Sequence, residues 1–136
     1  MKRSAGLVII YDNKILLVHP TKHPWIHSFS IPKGMIEENE TVLDAAIRET
    51  FEEVGLFIDK NQIKDNEEYL ICYRDKHNKI YKKIYYYIVN LEYNDFDVIP
   101  FQNLQVEEVD WAGFLSKEEA IKRISPKLIS VLDHLK

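Results

Sequence analysis

The stretch GMIEENETVLDAAIRETFEEVGL, residues 34–56, decides how the rest of this chain is read. Thr41 is placed to cap a helix, since its hydroxyl can accept a first-turn backbone N–H while Asp44 puts negative charge at the positive end of the helix dipole. Gly55, just after Val54, is a natural left-handed stop. Taking 100° per residue and Arg48 as zero, Glu52 falls at about 40°, Glu49 at about 100° and Glu53 at about 140°; Leu43, Thr50, Val54, Ile47 and Phe51 gather between roughly 200° and 300°. One face is expected to pack inward while the other collects acid.

Most acidic stripes are the solvated side of an amphipathic helix. Here the spacing works against the helix, because Glu49 meets Glu52 and Glu53 as like charges three and four residues away, each pair costing a few tenths of a kcal/mol, with Arg48 to offset them. Ala45 and Val42 lie among the acids and leave a smooth surface that a ligand can approach. Grouped carboxylates either raise one another's pKa or stay ionised around a cation. An all-oxygen set favours a hard ion such as Mg²⁺, which keeps waters and takes phosphate oxygens as its remaining ligands.

Gly34, Glu40, the pair Arg48-Glu49, the pair Glu52-Glu53, Gly55 and Leu56 stand at spacings that resemble the signature of the Nudix hydrolases, a loop-helix-loop that holds divalent metal against a diphosphate. Thr50 stands where an aliphatic residue is more usual, and Asn39 where many members have glycine. Asn accepts left-handed backbone, so the loop is expected to keep its shape. The resemblance implies an α+β fold, an α/β/α sandwich with a mixed sheet flanked by helices, as a single domain over residues 1–136. It also implies Mg²⁺ or Mn²⁺ as cofactor, with Glu52 and Glu53 as main ligands, Glu49 as a further ligand or water activator, and the Gly34 carbonyl facing metal. Arg48 would orient a carboxylate, and Glu40 would be a looser contact through water. The implied reaction is attack of water on phosphorus in a nucleoside polyphosphate. A base outside the signature is common in the family, and QVEEVDW offers Glu107 or Glu108, between which the sequence does not choose.

Working outward, AGLVIIY and KILLVH read as two strands joined by a tight turn at Asp12-Asn13. The segment PTKHPWIHSFSIPKG has three prolines and no helical period, and so reads as an irregular loop ending in an extended piece over 28–31. Residues 68–74 and 80–91 read as a second pair of strands, the longer one apolar on both faces and therefore central. A strand near 106–112 and helices on either side of Pro126 complete the order, with Ser116 and Glu119 in capping-box spacing. No repeat, linker or low-complexity tract interrupts it.

The 136 residues are 46% hydrophobic, enough for a core, and the net charge of −4 supplies no field to gather nucleic acid or an anionic membrane. Cys72 is the single cysteine, so no internal disulfide forms. The N-terminal apolar run is cut short by Tyr11-Asp12-Asn13-Lys14, well below signal-peptide or membrane-span length. The expectation is a cytoplasmic protein, monomeric or homodimeric, whose partner is a small nucleoside polyphosphate rather than nucleic acid or membrane.

Lys33, in SIPKG, is the form that resembles enzymes splitting diadenosine polyphosphates or diphosphoinositol phosphates. Arg74, Lys76, Lys79, Lys82 and Lys83 interleave with Tyr73, Tyr81, Tyr85, Tyr86 and Tyr87, a mixture able to hold a polyphosphate and stack a base. Lys33, Lys82, Lys83, Tyr85 and Tyr87 are the candidate substrate contacts, with a dinucleoside tetraphosphate as the best match. The rivals are a nucleoside triphosphate pyrophosphohydrolase that clears damaged nucleotides and a non-catalytic nucleotide-binding module. His19, His23 and His27 recur every four residues, but Pro20 and Pro24 forbid the helix that would bring them together. Trp25 is read as shielding the site, stacking a base or anchoring its loop.

Overall fold

The computed structural model describes residues 1–92 and 104–136. Strands β1 (Lys2–Tyr11), β2 (Lys14–Pro20), β3 (Lys33–Met35), β4 (Tyr69–Arg74), β5 (Ile80–Asn90) and β6 (Val109–Leu115) form one six-stranded sheet in the order β4-β5-β1-β2-β6, with β3 on β1. Strands β1 and β5 run parallel and the other pairs antiparallel, so the sheet is mixed. Helix α1 (Val42–Val54) lies on one face; α2 (Lys117–Arg123) and a 3₁₀ segment (Pro126–His134) cover the other. Among the described residues no helix is long and apolar enough to cross a membrane.

Alternation of side chains along the strands builds the two layers. Val8, Ile10, Ile15, Leu17, Ile84 and Ile88 point to α2 and the 3₁₀ segment. Leu7, Ile9, Leu16, Val18 and Val89 point to Ala45, Ala46 and Val54 of α1. Each of these large side chains, removed from water, stabilises the fold by roughly 1.5–3 kcal/mol. Strand β5 is interior, and its later part, residues 86–89, is buried on both faces.

The β1–β2 hairpin turns through Asp12 (φ 51°) and Asn13 (φ 56°), both left-handed, as a two-residue turn demands. The strands then part, because β1 goes on to pair with β3 (Gly6 opposite Lys33) while β2 goes on to β6 (Val18 opposite Ala112). Residues 29–33 enter the opening, with Ser30 and Val18 exchanging bonds of 2.9 and 2.8 Å and Leu7 donating to the Pro32 carbonyl at 3.2 Å. Gly6 admits this wedge, for a Cβ there would stand 2.5 Å from that carbonyl oxygen.

Several boundaries differ from the sequence reading. The extended piece at 28–31 is reduced to single bridges at Phe29 and Ser30. The last strand begins at Val109 rather than 106, so Glu107 and Glu108 occupy a turn before it. The chain after Pro126 is helical as expected, and winds as 3₁₀. Cys72 is half-buried on the edge strand opposite Lys83.

The largest correction concerns α1. Its caps are as expected, with Thr41 Oγ1 accepting from the Asp44 N–H and Gly55 left-handed at φ 77°. Its buried side is nevertheless Ala45, Ala46, Thr50, Glu53 and Val54, while Phe51 is 55% exposed. Small residues let the helix settle close on β1 and β3, and that outweighs burial of the bulky Phe51 at the rim. The rotation carries Glu53, on the supposed outer face, into the interior.

Candidate active site

Arg48 organises the start of the site. Its Nε and Nη2 donate to both Glu40 oxygens at 2.7 and 2.9 Å, its Nη1 to Glu49 at 2.9 Å and Glu52 at 3.1 Å, and Nη2 also to the Met35 carbonyl at 3.0 Å. One guanidinium therefore ties the incoming loop to the helix, and its fork is what a lysine lacks. The ion pair holds Glu40 below the ordinary carboxylate range and raises Arg48 further. Asn39 supplies the loop's left-handed residue at φ 65°, and Thr50 satisfies its buried hydroxyl on the Ala46 carbonyl at 2.9 Å.

Glu49 lies against the Gly34 backbone so closely that a Cβ on Gly34 would stand 2.0 Å from its carboxyl carbon. Burial raises its pKa despite the bond from Arg48. Glu53 is only 5% exposed, and burial pushes it up to about 8, opposed by the Lys33 N–H that donates to it at 3.3 Å. Like charge acts in the same direction, Glu52 and Glu108 on Glu49, and Glu49 and Glu108 on Glu53. Glu53, Glu108 and Lys33 line a cleft of about 200 Å³ with Val18, Pro20, Ser30, Ile31 and Val109, in the opening between β1 and β2. Of the two tandem acids before Trp111, Glu108 reaches this cleft and Glu107 is not among its lining.

These donors suit a hard cation. A buried carboxylate pushed far above its ordinary pKa, beside two more carboxylates and a backbone stripped of Cβ, is an oxygen-lined cradle short of positive charge. Among the described residues no three acidic, histidine or cysteine side chains close around a point by themselves. An ion that keeps waters and takes substrate phosphate oxygens needs no such closed cage.

The NUDIX domain model matches residues 1–135. This chain belongs to the Nudix family. Its Nudix box is the stretch 34–56, and 49 residues of the chain are 45% identical to an ADP-ribose pyrophosphatase of Methanocaldococcus jannaschii, covering 36% of this chain and 29% of that one. An RNA pyrophosphohydrolase of Ruthia magnifica is 30% identical over 121 residues, covering 82% of this chain and 66% of that protein. The chain thus spans less than a third of one curated relative's length and about two thirds of the other's. Among solved structures, a C. elegans Ap4A hydrolase in a binary complex superposes with a TM-score of 0.74 at 28% identity, covering 98% of this chain and 93% of that one.

Around the Nudix box the structure sorts the other candidates by face. Lys82 lies beside Lys33, and burial together with Lys33, Lys2 and Lys127 lowers its pKa to about 8. Lys82 Nζ and Lys127 Nζ stand 5.4 and 4.8 Å from the centre of the Tyr73 ring, and Lys127 also donates to the Tyr81 hydroxyl at 2.5 Å. Lys83, Tyr85 and Tyr87 alternate to the α1 face, where Arg3 covers the Tyr85 ring at 5.3 Å and the Tyr87 hydroxyl donates to Glu68 at 2.5 Å. Sequence reasoning included Tyr73 in its mixture of cations and rings but missed Lys127 and Lys2. A period-two reading of β5 would have separated Lys82 from Lys83, but no local signal brings Lys127 to it. His19 is buried at 1% exposure under the stacked Trp25 ring, centroids 3.6 Å apart, so Trp25 anchors its loop.

Proposed function

We propose that this Nudix chain is a divalent-metal-dependent pyrophosphohydrolase that splits a nucleoside polyphosphate by attack of water on phosphorus, with a dinucleoside tetraphosphate such as diadenosine tetraphosphate as substrate. The observation that carries this reading is the run of cations, Lys33, Lys82 and Lys127, leading from the buried Glu53 to the Tyr73 and Tyr81 rings. A chain of several phosphates needs positive charge spread along its path, and the rings offer a face to a base. The likeness to the C. elegans Ap4A hydrolase supports the same substrate.

In this reading Glu52, Glu53 and the Gly34 carbonyl hold the ion, with Glu49 completing the set. A bound divalent ion neutralises phosphate oxygens and lowers the pKa of the attacking water. Arg48 keeps the glutamates aimed, and Lys33 balances charge on the phosphate nearest Glu53. Glu108, across the cleft, accepts the proton as the water oxygen bonds to phosphorus; the P–O–P bridge breaks and the leaving phosphate departs as its anion.

The test is product analysis with Mg²⁺ in isotopically labelled water, on a panel of diadenosine tetraphosphate, deoxynucleoside triphosphates and ADP-ribose. ATP plus AMP supports the reading, and the labelled product identifies the phosphorus attacked. Monophosphate plus pyrophosphate from a triphosphate favours the second reading, to which the 29% identity over 113 residues with a probable DHNTP pyrophosphohydrolase of Lactococcus lactis lends support. No turnover on the panel, with nucleotide still bound, leaves a binding module.

A further inference from the structure

Glu108 shares the lining of the cleft with Glu53 and Lys33. The turn that presents it is held from two sides. Its near side is tied to α1, where the Gln105 N–H donates to the Glu53 carbonyl at 3.1 Å, and it closes on itself through the Glu108 and Val109 N–H groups on the Gln105 carbonyl, both at 2.9 Å. Its far side is tied from the loop after β2. The Thr21 N–H donates to the Glu108 carbonyl at 2.9 Å, and the Thr21 hydroxyl donates to the Val106 carbonyl at 2.8 Å.

Thr21 is itself held by a rigid base. The β2–β6 register shifts between His19 and Pro20, so that His19 opposes Trp111 while Pro20 opposes Val109. Asp110, the residue passed over, meets His19 Nδ1 at 2.5 Å. His19 Nε2 reaches the His23 and Pro24 carbonyls at 2.9 and 3.2 Å. Bulges of this kind re-aim side chains beside active sites. Here the bulge sends Val109 into the core and sets Glu108 at the cleft.

We propose that Thr21 is a positioning residue for the reaction: by gripping the Val106 carbonyl it holds the Glu108 turn in place over the cleft. This role rests on the reading of Glu108 as the proton acceptor. Thr21 is outside the Nudix box and outside the residues lining the cleft. Valine has the same shape and keeps the backbone bond to Glu108, so Thr21→Val removes the hydroxyl bond alone. The bond is solvent-accessible, so water takes up the freed carbonyl and the fold is little affected, while the turn loses its fixed position.

The experiment measures kcat and KM with Mg²⁺, on whichever panel nucleotide is turned over best, for Thr21→Val, Thr21→Ser, Glu108→Gln and the double variant Thr21→Val/Glu108→Gln. A net hydrogen bond spent on positioning gives a fall in kcat of about three- to tenfold for Thr21→Val. KM stays within about twofold, because substrate binding is not what the bond serves. Thr21→Ser restores kcat, and Thr21→Val adds no further loss in the Glu108→Gln background. Wild-type kcat in Thr21→Val, or its full loss persisting on top of Glu108→Gln, overturns the proposal. Glu108→Gln with wild-type kcat removes the proton-acceptor reading and the positioning role with it, an outcome distinct from failure of Thr21 alone.

Discussion

Glu53→Gln tests the physical core of the site because its effect on stability changes with pH and with metal. Burial raises the Glu53 carboxyl from 4.5 to about 8 in the folded chain. Below pH 4.5 both folded and unfolded chains are protonated there and the group is neutral in its effect. Between 4.5 and 8 the unfolded chain ionises while the folded one does not, so stability falls as pH rises, and above 8 the loss is complete. At 1.36 kcal/mol per pKa unit the loss is about 3 kcal/mol at pH 7 and about 5 kcal/mol above pH 8, from this group alone. Glutamine mimics the protonated acid and escapes the loss. In EDTA at pH 7, Glu53→Gln is expected to melt roughly 10 °C above the unsubstituted protein, the two converging toward pH 4.5. Saturating Mg²⁺ acts the other way, since an ion at a hundred times its Kd adds about 2.7 kcal/mol to the protein that binds it. The variant, short of a ligand, gains little and its advantage closes. Thermal melts at several pH values, with EDTA and with Mg²⁺, read all of this. A variant that melts lower than the unsubstituted protein in EDTA at pH 7, or a gap that does not narrow toward acid pH, refutes the argument.

Three further outcomes follow from the geometry. Gly34→Ala places a Cβ 2.0 Å from the Glu49 carboxyl carbon, so Glu49 must swing out, and kcat is expected to fall roughly a hundredfold, with weaker Mg²⁺ binding by titration calorimetry. Arg48→Lys keeps the charge but loses the forked bonds to Glu40, Glu52 and the Met35 carbonyl; a stability cost of about 2 kcal/mol in denaturant melts is expected, together with lower kcat. Lys82 loses its charge as pH rises through about 8, so KM for diadenosine tetraphosphate should climb above that pH, and Lys82→Met should raise KM at pH 7 and flatten the climb.

The parts of this protein legible in its sequence are those set by forces acting over a few residues. Thr41 and Gly55 bound α1 because caps act within one turn, Asp12-Asn13 marks the hairpin because two left-handed residues suffice to make it, and the spacing of Gly34, Arg48 and the glutamates marks the Nudix box. Order and type of the elements follow from the same local periodicities. The tertiary structure decided what depends on how close one element comes to another. The helix rotates to seat Ala45 and Ala46 on the sheet, which buries Glu53 and exposes Phe51, a choice that residue hydrophobicity on a wheel does not contain. Glu108 rather than Glu107 meets the cleft because a register shift at Pro20 and the grip of Thr21 aim the turn. Lys127 joins Lys82 across the Tyr73 ring from a segment whose distance along the chain leaves no local trace. Local chemistry marks which residues can do the work, and only packing between distant segments determines which of them share the cleft.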